Sequence, residues 1–236
     1  MIRIQNLNKS FGALDVLKDV NLEIMPGTTT GVVGPNGSGK TTLIKCLLGL
    51  VRPDSGSMFI DGVAVSKNDE YRKEIGYMPQ VGRYPENMKV YELIRLIEDI
   101  RDNKENKSKE LIEYFGLETH LEAKLRNLSG GTRQKVSAVL TLMYNPKLLI
   151  FDEPTAGLDP QASIRFKNLV KDEKNAGKTI LLTTHITSEI EELADNIIFI
   201  VEGKVHYHGP LKNLLISKNT ERLEGAVAQL MEEAAA

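Results

Sequence analysis

The chain has no tryptophan, one cysteine and, over 236 residues, a formal net charge of only −2, with 30 Lys and Arg against 32 Asp and Glu. Each shortage excludes something. A single cysteine, Cys46, cannot close an internal disulfide, which suits a reducing compartment such as the cytoplasm. The balanced charge supplies no general pull toward nucleic acid or anionic lipid, so no nucleic-acid partner is expected. No apolar run approaches the roughly 18 residues needed to cross a bilayer. Leu148–Phe151 and Ile197–Val201 read instead as buried strands, and Met1-Ile2-Arg3-Ile4-Gln5 lacks the apolar core of a secretory signal. No internal repeat is visible. What is present is length enough for a compact α/β domain with a sizeable core and a smaller insertion.

Residues 1–30 alternate apolar and polar in short pieces, as at Ile2-Ile4 and Val20-Leu22-Ile24, and predict antiparallel strands joined by a turn at Pro26-Gly27. Thr29–Val33 predicts a buried strand, and Leu43, Ile44, Leu47 and Leu48 mark a helix stopped by Gly49. Met58-Ile60 and Val63–Val65 flank Asp61-Gly62, a hairpin signal. From 84 to 145 the pattern becomes helical. Val90, Leu93, Ile94, Ile97 and Ile100 mark one face, and Leu111, Ile112, Tyr114 and Phe115 another, with a charged run from Arg101 to Lys109 read as a solvated loop. Strand–helix alternation then returns through 148–151, 162–174, 179–184, 188–193 and 197–201. Lys204–His208 pairs back after Glu202-Gly203, and a last amphipathic helix follows Asn219-Thr220.

Three motifs carry chemistry. Gly34-Pro35-Asn36-Gly37-Ser38-Gly39-Lys40-Thr41-Thr42 stands between a strand and a helix. Its glycines let backbone N–H groups close on phosphate, Lys40 reaches the β- and γ-phosphates, and Thr41 offers a hydroxyl to Mg²⁺. Asp152 and Glu153 end an apolar strand, placing Asp152 to hold Mg²⁺ and Glu153 to orient or deprotonate water. Leu128-Ser129-Gly130-Gly131 precedes a predicted helix from Arg133 toward Tyr144, so a hydroxyl, two glycines and a helix N-terminus form a second anion site. One phosphate loop already satisfies a nucleotide from one side. The economical use of the second site is to cap the ATP of another copy, head to tail. His206 and His208 share one face of an alternating strand without a third ligand nearby, and no metal besides Mg²⁺ is expected.

In this order, and with Pro154-Thr155-Ala156-Gly157-Leu158-Asp159 beyond the acids, the motifs resemble the ATP-binding subunit of an ATP-binding cassette (ABC) transporter, over nearly the whole chain. The resemblance implies a P-loop NTPase core with a mainly parallel sheet, an N-terminal antiparallel β part and an inserted α-helical subdomain. The core would span 1–83 and 146–217, the helical subdomain 84–145 and a C-terminal helix 218–236. It makes Phe11, in Lys9-Ser10-Phe11-Gly12, the ring that stacks on adenine, with Val16 padding it. Gln80, in Tyr77-Met78-Pro79-Gln80, becomes the hinge glutamine that touches Mg²⁺. His185 faces the γ-phosphate, and Asp159 is the acid of the linking loop. It also implies a homodimer closing on ATP, integral membrane permease subunits docking around 80–91, and a cytoplasmic, membrane-peripheral location. The chain is similar around the signature to subunits serving copper and nitrous-oxide-reductase maturation. A cytosolic ABC ATPase acting on an assembly scaffold is the alternative. The family usually has Gln where this chain has Thr132.

Overall fold

The computed structural model describes residues 1–65, 69–101 and 106–235. β1 (Ile2–Phe11) and β2 (Leu14–Ile24) form one long antiparallel hairpin, with Ile2 opposite Ile24 and Phe11 opposite Leu14. Its turn is at Gly12-Ala13, not at Pro26-Gly27, which instead passes the chain to β3 (Thr29–Val33). The register shifts of β1 between Ile4 and Ser10, with Asn6 and Asp19 at φ +48°, break the alternation. Bulges of this kind make a long strand look like short pieces in sequence.

The phosphate-loop segment leads into α1 (Lys40–Leu47), which ends at Gly49, φ +66°. β4 (Ser55–Ile60) pairs with β1, and β5 (Val63–Ala64) folds back through Asp61-Gly62, both at positive φ. The result is a four-stranded antiparallel sheet, β2-β1-β4-β5.

After β6 (Ile75–Met78) come α2 (Val90–Arg101), α3 (Ser108–Phe115) and α4 (Gly130–Leu142). Of the charged run expected to be a loop, 102–105 lie outside the described residues. α4 starts at Gly130, three residues before the expected start, so both glycines belong to its first turn. The rest is β7 (Leu148–Asp152), α5 (Pro160–Asn175), β8 (Thr179–Thr183), α6 (Thr187–Leu193), β9 (Asn196–Val201), β10 (Lys204–Pro210), α7 (Leu211–Ser217) and α8 (Leu223–Ala235). α7 was not expected, because seven residues running straight off a strand show too little helical period. His206 and His208 are exposed, but they do not share a face as expected: the strand register shifts between Val205 and Tyr207, and the bulge breaks the alternation.

The second sheet runs β10-β9-β3-β8-β7-β6, parallel except for β10. Its parallel strands are buried on both faces, as a covered parallel sheet requires, whereas the edge strand β10 is not. Val32, Leu148, Ile150, Leu181, Ile198 and Ile200 face a core shared with α1 and the antiparallel sheet. Their neighbours Val33, Leu149, Phe151, Ile180, Leu182, Ile197 and Phe199 face the helices on the other side. Because β3, β8, β7 and β6 are adjacent and parallel, their carboxyl ends lie side by side. That edge gathers the phosphate loop, residues 183–185, Asp152-Glu153 and Gln80.

Candidate active site

At this edge, Asn36, Gly37, Ser38, Gly39, Lys40, Thr41 and Thr42 line one cleft of about 340 Å³ together with Gln80, Asp152 and Glu153. The loop can be built only with glycine at its bends. A Cβ on Gly34 would sit 2.0 Å from the Ile200 carbonyl, and one on Gly39 would sit 2.7 Å from that of Val16. The second contact also puts Val16 against the loop. Ser38 Oγ is buried in the loop without a hydrogen-bond partner among the described residues. Lys40 Nζ donates to the carbonyls of Gly34 (2.7 Å) and Pro35 (2.8 Å). Burial holds its pKa down, while Glu153 and Asp152 pull it the other way.

Asp152 is buried, and Thr183 Oγ1 donates to its carboxylate at 2.5 Å. Burial first, and the Glu153 charge after it, raise its pKa, against the Thr183 hydrogen bond and the nearby lysines Lys40 and Lys45. Glu153 has φ +49°, a costly conformation for a residue with a side chain. Two bonds hold it there, from its N–H to Thr183 O (2.9 Å) and Thr183 Oγ1 (3.2 Å). Gln80 Nε2 donates to Glu153 Oε2 at 3.0 Å, and His185 Nδ1 lies 3.3 Å from the same oxygen. With its nitrogen turned to the carboxylate, Gln80 keeps its carbonyl oxygen for another partner. Thr41, Gln80 and Asp152 therefore bring three hard oxygen donors to one cleft. That set, with a buried carboxylate in want of a counter-charge, fits Mg²⁺.

Ser129, Gly130 and Gly131 do not join the cleft. Ser129 and Gly130 are exposed. Ser129 caps α4, its Oγ accepting from Thr132 N at 3.1 Å. The signature helix is nevertheless fastened to the chain after Glu153. Buried Gln134 donates from Nε2 to Pro154 O (3.1 Å), and Lys135 Nζ lies 3.5 Å from Asp159 Oδ2. A Cβ on Gly131 would meet Gly157 O at 2.8 Å. Asp159 itself is exposed and caps α5 through Ala162 N at 2.8 Å. The Ala162 bond, more than Lys135, holds its pKa down. Phe11 is 51% exposed, with Lys9 Nζ 5.1 Å from its ring centre, so it is not a core residue.

Sequence reasoning missed Thr183, Gln134 and Glu189. Glu189 is buried and accepts from Thr155 (2.9 Å) and Thr184 (3.0 Å), joining the segment after Glu153 to the segment before His185. Each is a common residue type whose role depends on a partner far along the chain. Only Thr183, at the end of an apolar strand beside His185, left a trace in the sequence.

The sequence family described as "ABC transporter" matches residues 17–156, more than half of the chain. The chain belongs to the ABC transporter family. The lantibiotic transport ATP-binding protein SrtF of Streptococcus pyogenes is 36% identical over 205 residues, 87% of this chain and 89% of that protein. The lipopolysaccharide export system ATP-binding protein LptB of Escherichia coli is 31% identical over 227 residues, 93% and 94% of the two chains. A solved ATP-binding subunit of an ABC transporter matches with a TM-score of 0.91 at 29% identity, over 98% of this chain and 99% of that one. A dimeric ATP-binding cassette in a post-hydrolysis state with ADP and Pi matches at 0.79 and 27%, over 89% and 99%. The fold expected from the sequence is therefore the observed one. This ABC cassette binds and hydrolyses ATP as the ATPase subunit of a transporter, and the relatives give the cytosolic-scaffold alternative no support. Among the described residues no helix is long and apolar enough to cross a membrane.

The buried acid of this ABC subunit yields a first prediction. Burial raises the folded pKa of Asp152 above its unfolded value, so ionising it costs stability. The cost is absent below the unfolded pKa near 4, and it grows as pH rises through the folded value. Asp152→Asn keeps an acceptor for Thr183 without the charge. It should raise Tm by a few degrees at pH 7, have no such effect at pH 3.5, and abolish Mg²⁺-dependent hydrolysis. Thermal melts at the two pH values, with phosphate release, measure this.

Proposed function

We propose that two copies of this chain close head to tail over two ATP molecules, each Ser129-Gly130-Gly131 covering the nucleotide in the other's phosphate loop. The observation that carries this reading is the separation within one chain. The cleft holds one complete phosphate cradle, while the second anion-binding turn stands exposed outside it. Phe11 stacks on adenine with Val16 beside it. Gly34 to Thr42 hold the phosphates, with the α1 dipole behind them. Thr41, Gln80 and Asp152 would hold Mg²⁺, which supplies charge neutralisation at the β- and γ-phosphate oxygens. Glu153 orients and deprotonates the attacking water, and His185 faces the γ-phosphate from the next strand. Asp159 and Lys135 tie the signature helix to the linking loop, so closure on one nucleotide is felt at the other site.

Residues 84–145 act as a helical subdomain hinged at Gln80 on the core of 1–83 and 146–217, with 218–236 as the C-terminal helix. A groove of about 440 Å³ lies at this junction, lined by Leu50, Arg72, Arg83, Tyr84 and Ile100 among others. Leu50 and Ile100 are 63% and 68% exposed there. Apolar side chains mixed with Arg and Tyr suit a protein interface. We assign the groove to the membrane permease subunits, which hold the chain at the inner face of the membrane.

The test uses the one native cysteine, Cys46, being buried. With Asn36→Cys and Gly130→Cys introduced together, ATP and mild oxidation should give a covalently linked dimer on non-reducing gels. Each single variant should stay monomeric. A link formed within one chain, or none at saturating ATP, defeats the head-to-tail arrangement.

A further inference from the structure

Thr132 occupies the third position of α4, after the capping Ser129 and the two glycines of the first turn. The glutamine usual here in the family would complete a capping box, reaching back to the backbone N–H of the capping serine. Threonine is too short for that. Its hydroxyl turns to the serine side chain instead, with Ser129 Oγ and Thr132 Oγ1 2.8 Å apart. The Thr132 N–H also donates to Ser129 Oγ, at 3.1 Å. One residue therefore contacts the signature serine twice.

Counting lone pairs shows the consequence. A serine oxygen has two lone pairs and one proton. The Thr132 N–H takes the first lone pair. In the hydroxyl pair either oxygen can donate. If Ser129 donates, its proton is spent inside its own chain. If Thr132 donates, both lone pairs of Ser129 are filled and its proton has only the exposed side to go to. A phosphate oxygen accepts and cannot donate, so it selects the second arrangement. The two hydroxyls then form a short relay in which each bond polarises the next.

We infer that Thr132 is a positioning residue: it donates its hydroxyl to Ser129 and thereby makes the signature serine a dedicated donor toward the ATP held by the other copy. Thr132 touches the serine and not the nucleotide. The inference rests on the head-to-tail reading and assigns one part of it.

The test compares variants of the full chain in a Glu153→Gln background. Thr132→Val keeps the backbone cap and the branched shape and removes only the hydroxyl, whereas Thr132→Ser keeps the hydroxyl. By sedimentation across an ATP titration, Thr132→Val should raise the dissociation constant of the ATP-dependent dimer about tenfold, as the loss of a charge-assisted hydrogen-bond relay requires. Thr132→Ser should stay within about twofold of the parent. Nucleotide-free Tm and ATP affinity of the monomer should not move, because the phosphate loop is elsewhere and the cap is intact. If Thr132→Val folds poorly, Thr132→Ala, a good helix former, takes its place. Ser129→Ala separates the two readings. If it weakens the dimer while Thr132→Val does not, the relay is overturned and the capping stands. If neither weakens it, or the parent shows no ATP-dependent dimer, the capping falls and takes the relay with it. A fall in monomer Tm matching the loss of dimer makes Thr132 merely structural and also overturns the relay.

Discussion

Lys40→Ala will cost the chain its nucleotide. ATP affinity should drop about 10²- to 10³-fold and hydrolysis should become undetectable, since two or more charge-assisted hydrogen bonds at ~1.5–3 kcal/mol each disappear together. The loss is enlarged by what remains. Asp152 and Glu153 line the same cleft, so without Lys40 a polyanionic ligand meets two carboxylates and, among the described residues that line it, no Lys or Arg. The fold should survive. The partners Lys40 holds are the loop carbonyls of Gly34 and Pro35, and the lysine is only partly buried, so water can replace it. Lys40→Arg should not rescue binding, because a planar fork cannot occupy the place of a compact ammonium bonded to two carbonyls. Titration calorimetry with ATP and a thermal melt of each variant check this. Unchanged affinity, or lost affinity accompanied by unfolding, removes Lys40 from the phosphate site.

The sequence made the cleft legible wherever local rules determine structure. The glycine-rich loop, the strand ending in two acids and the Asp61-Gly62 turn each depend on residues next to one another. Turn chemistry and strand period are short-range rules, and the structure follows them. It departs from the sequence reading where a rule is interrupted. The β1–β2 hairpin was read in short pieces because its bulges cancel the alternation. The first turn of α4 was placed outside the helix because glycine is a poor helix former, yet here the glycines leave that turn bare of side chains. Thr183, Gln134 and Glu189 were out of reach for another reason. The partners that give them their roles lie 31, 20 and 34 residues away in sequence, so the pairings leave no local pattern.

The identity of the cargo has a different standing. The relatives named for lantibiotic transport and for lipopolysaccharide export match this chain at 36% and 31% identity, over most of their lengths. Both relatives are named as ATP-binding proteins, so the likeness to them bears on ATP and not on one cargo. In the proposed reading the transporter partner docks in the groove beside Tyr84 and Ile100. A groove for a docking protein says how force is passed on and leaves what is carried to that protein.

Glu153→Gln should separate binding from chemistry. Hydrolysis is expected to fall about 10²- to 10⁴-fold, the range for removing a general base, while ATP affinity stays level or improves. The geometry explains why this residue can be changed alone. Its backbone is fixed by Thr183 through two hydrogen bonds that involve no side-chain atom of Glu153, so the strained φ of +49° is kept by the neighbouring strand. Glutamine fills the same volume and can still accept from Gln80, but it cannot take a proton from water. If two copies close on ATP and reopen only after cleavage, blocking cleavage traps the closed pair. The variant should therefore run as a dimer on a sizing column with ATP and as a monomer with ADP, while the wild-type chain shows the dimer only fleetingly. Asp152→Asn offers the contrast: it removes the proposed Mg²⁺ ligand rather than the proposed base, so its dimer should not accumulate. A Glu153→Gln chain that hydrolyses ATP at the wild-type rate would move the base elsewhere in the cleft, with His185, 3.3 Å from the same carboxylate, the next group to replace.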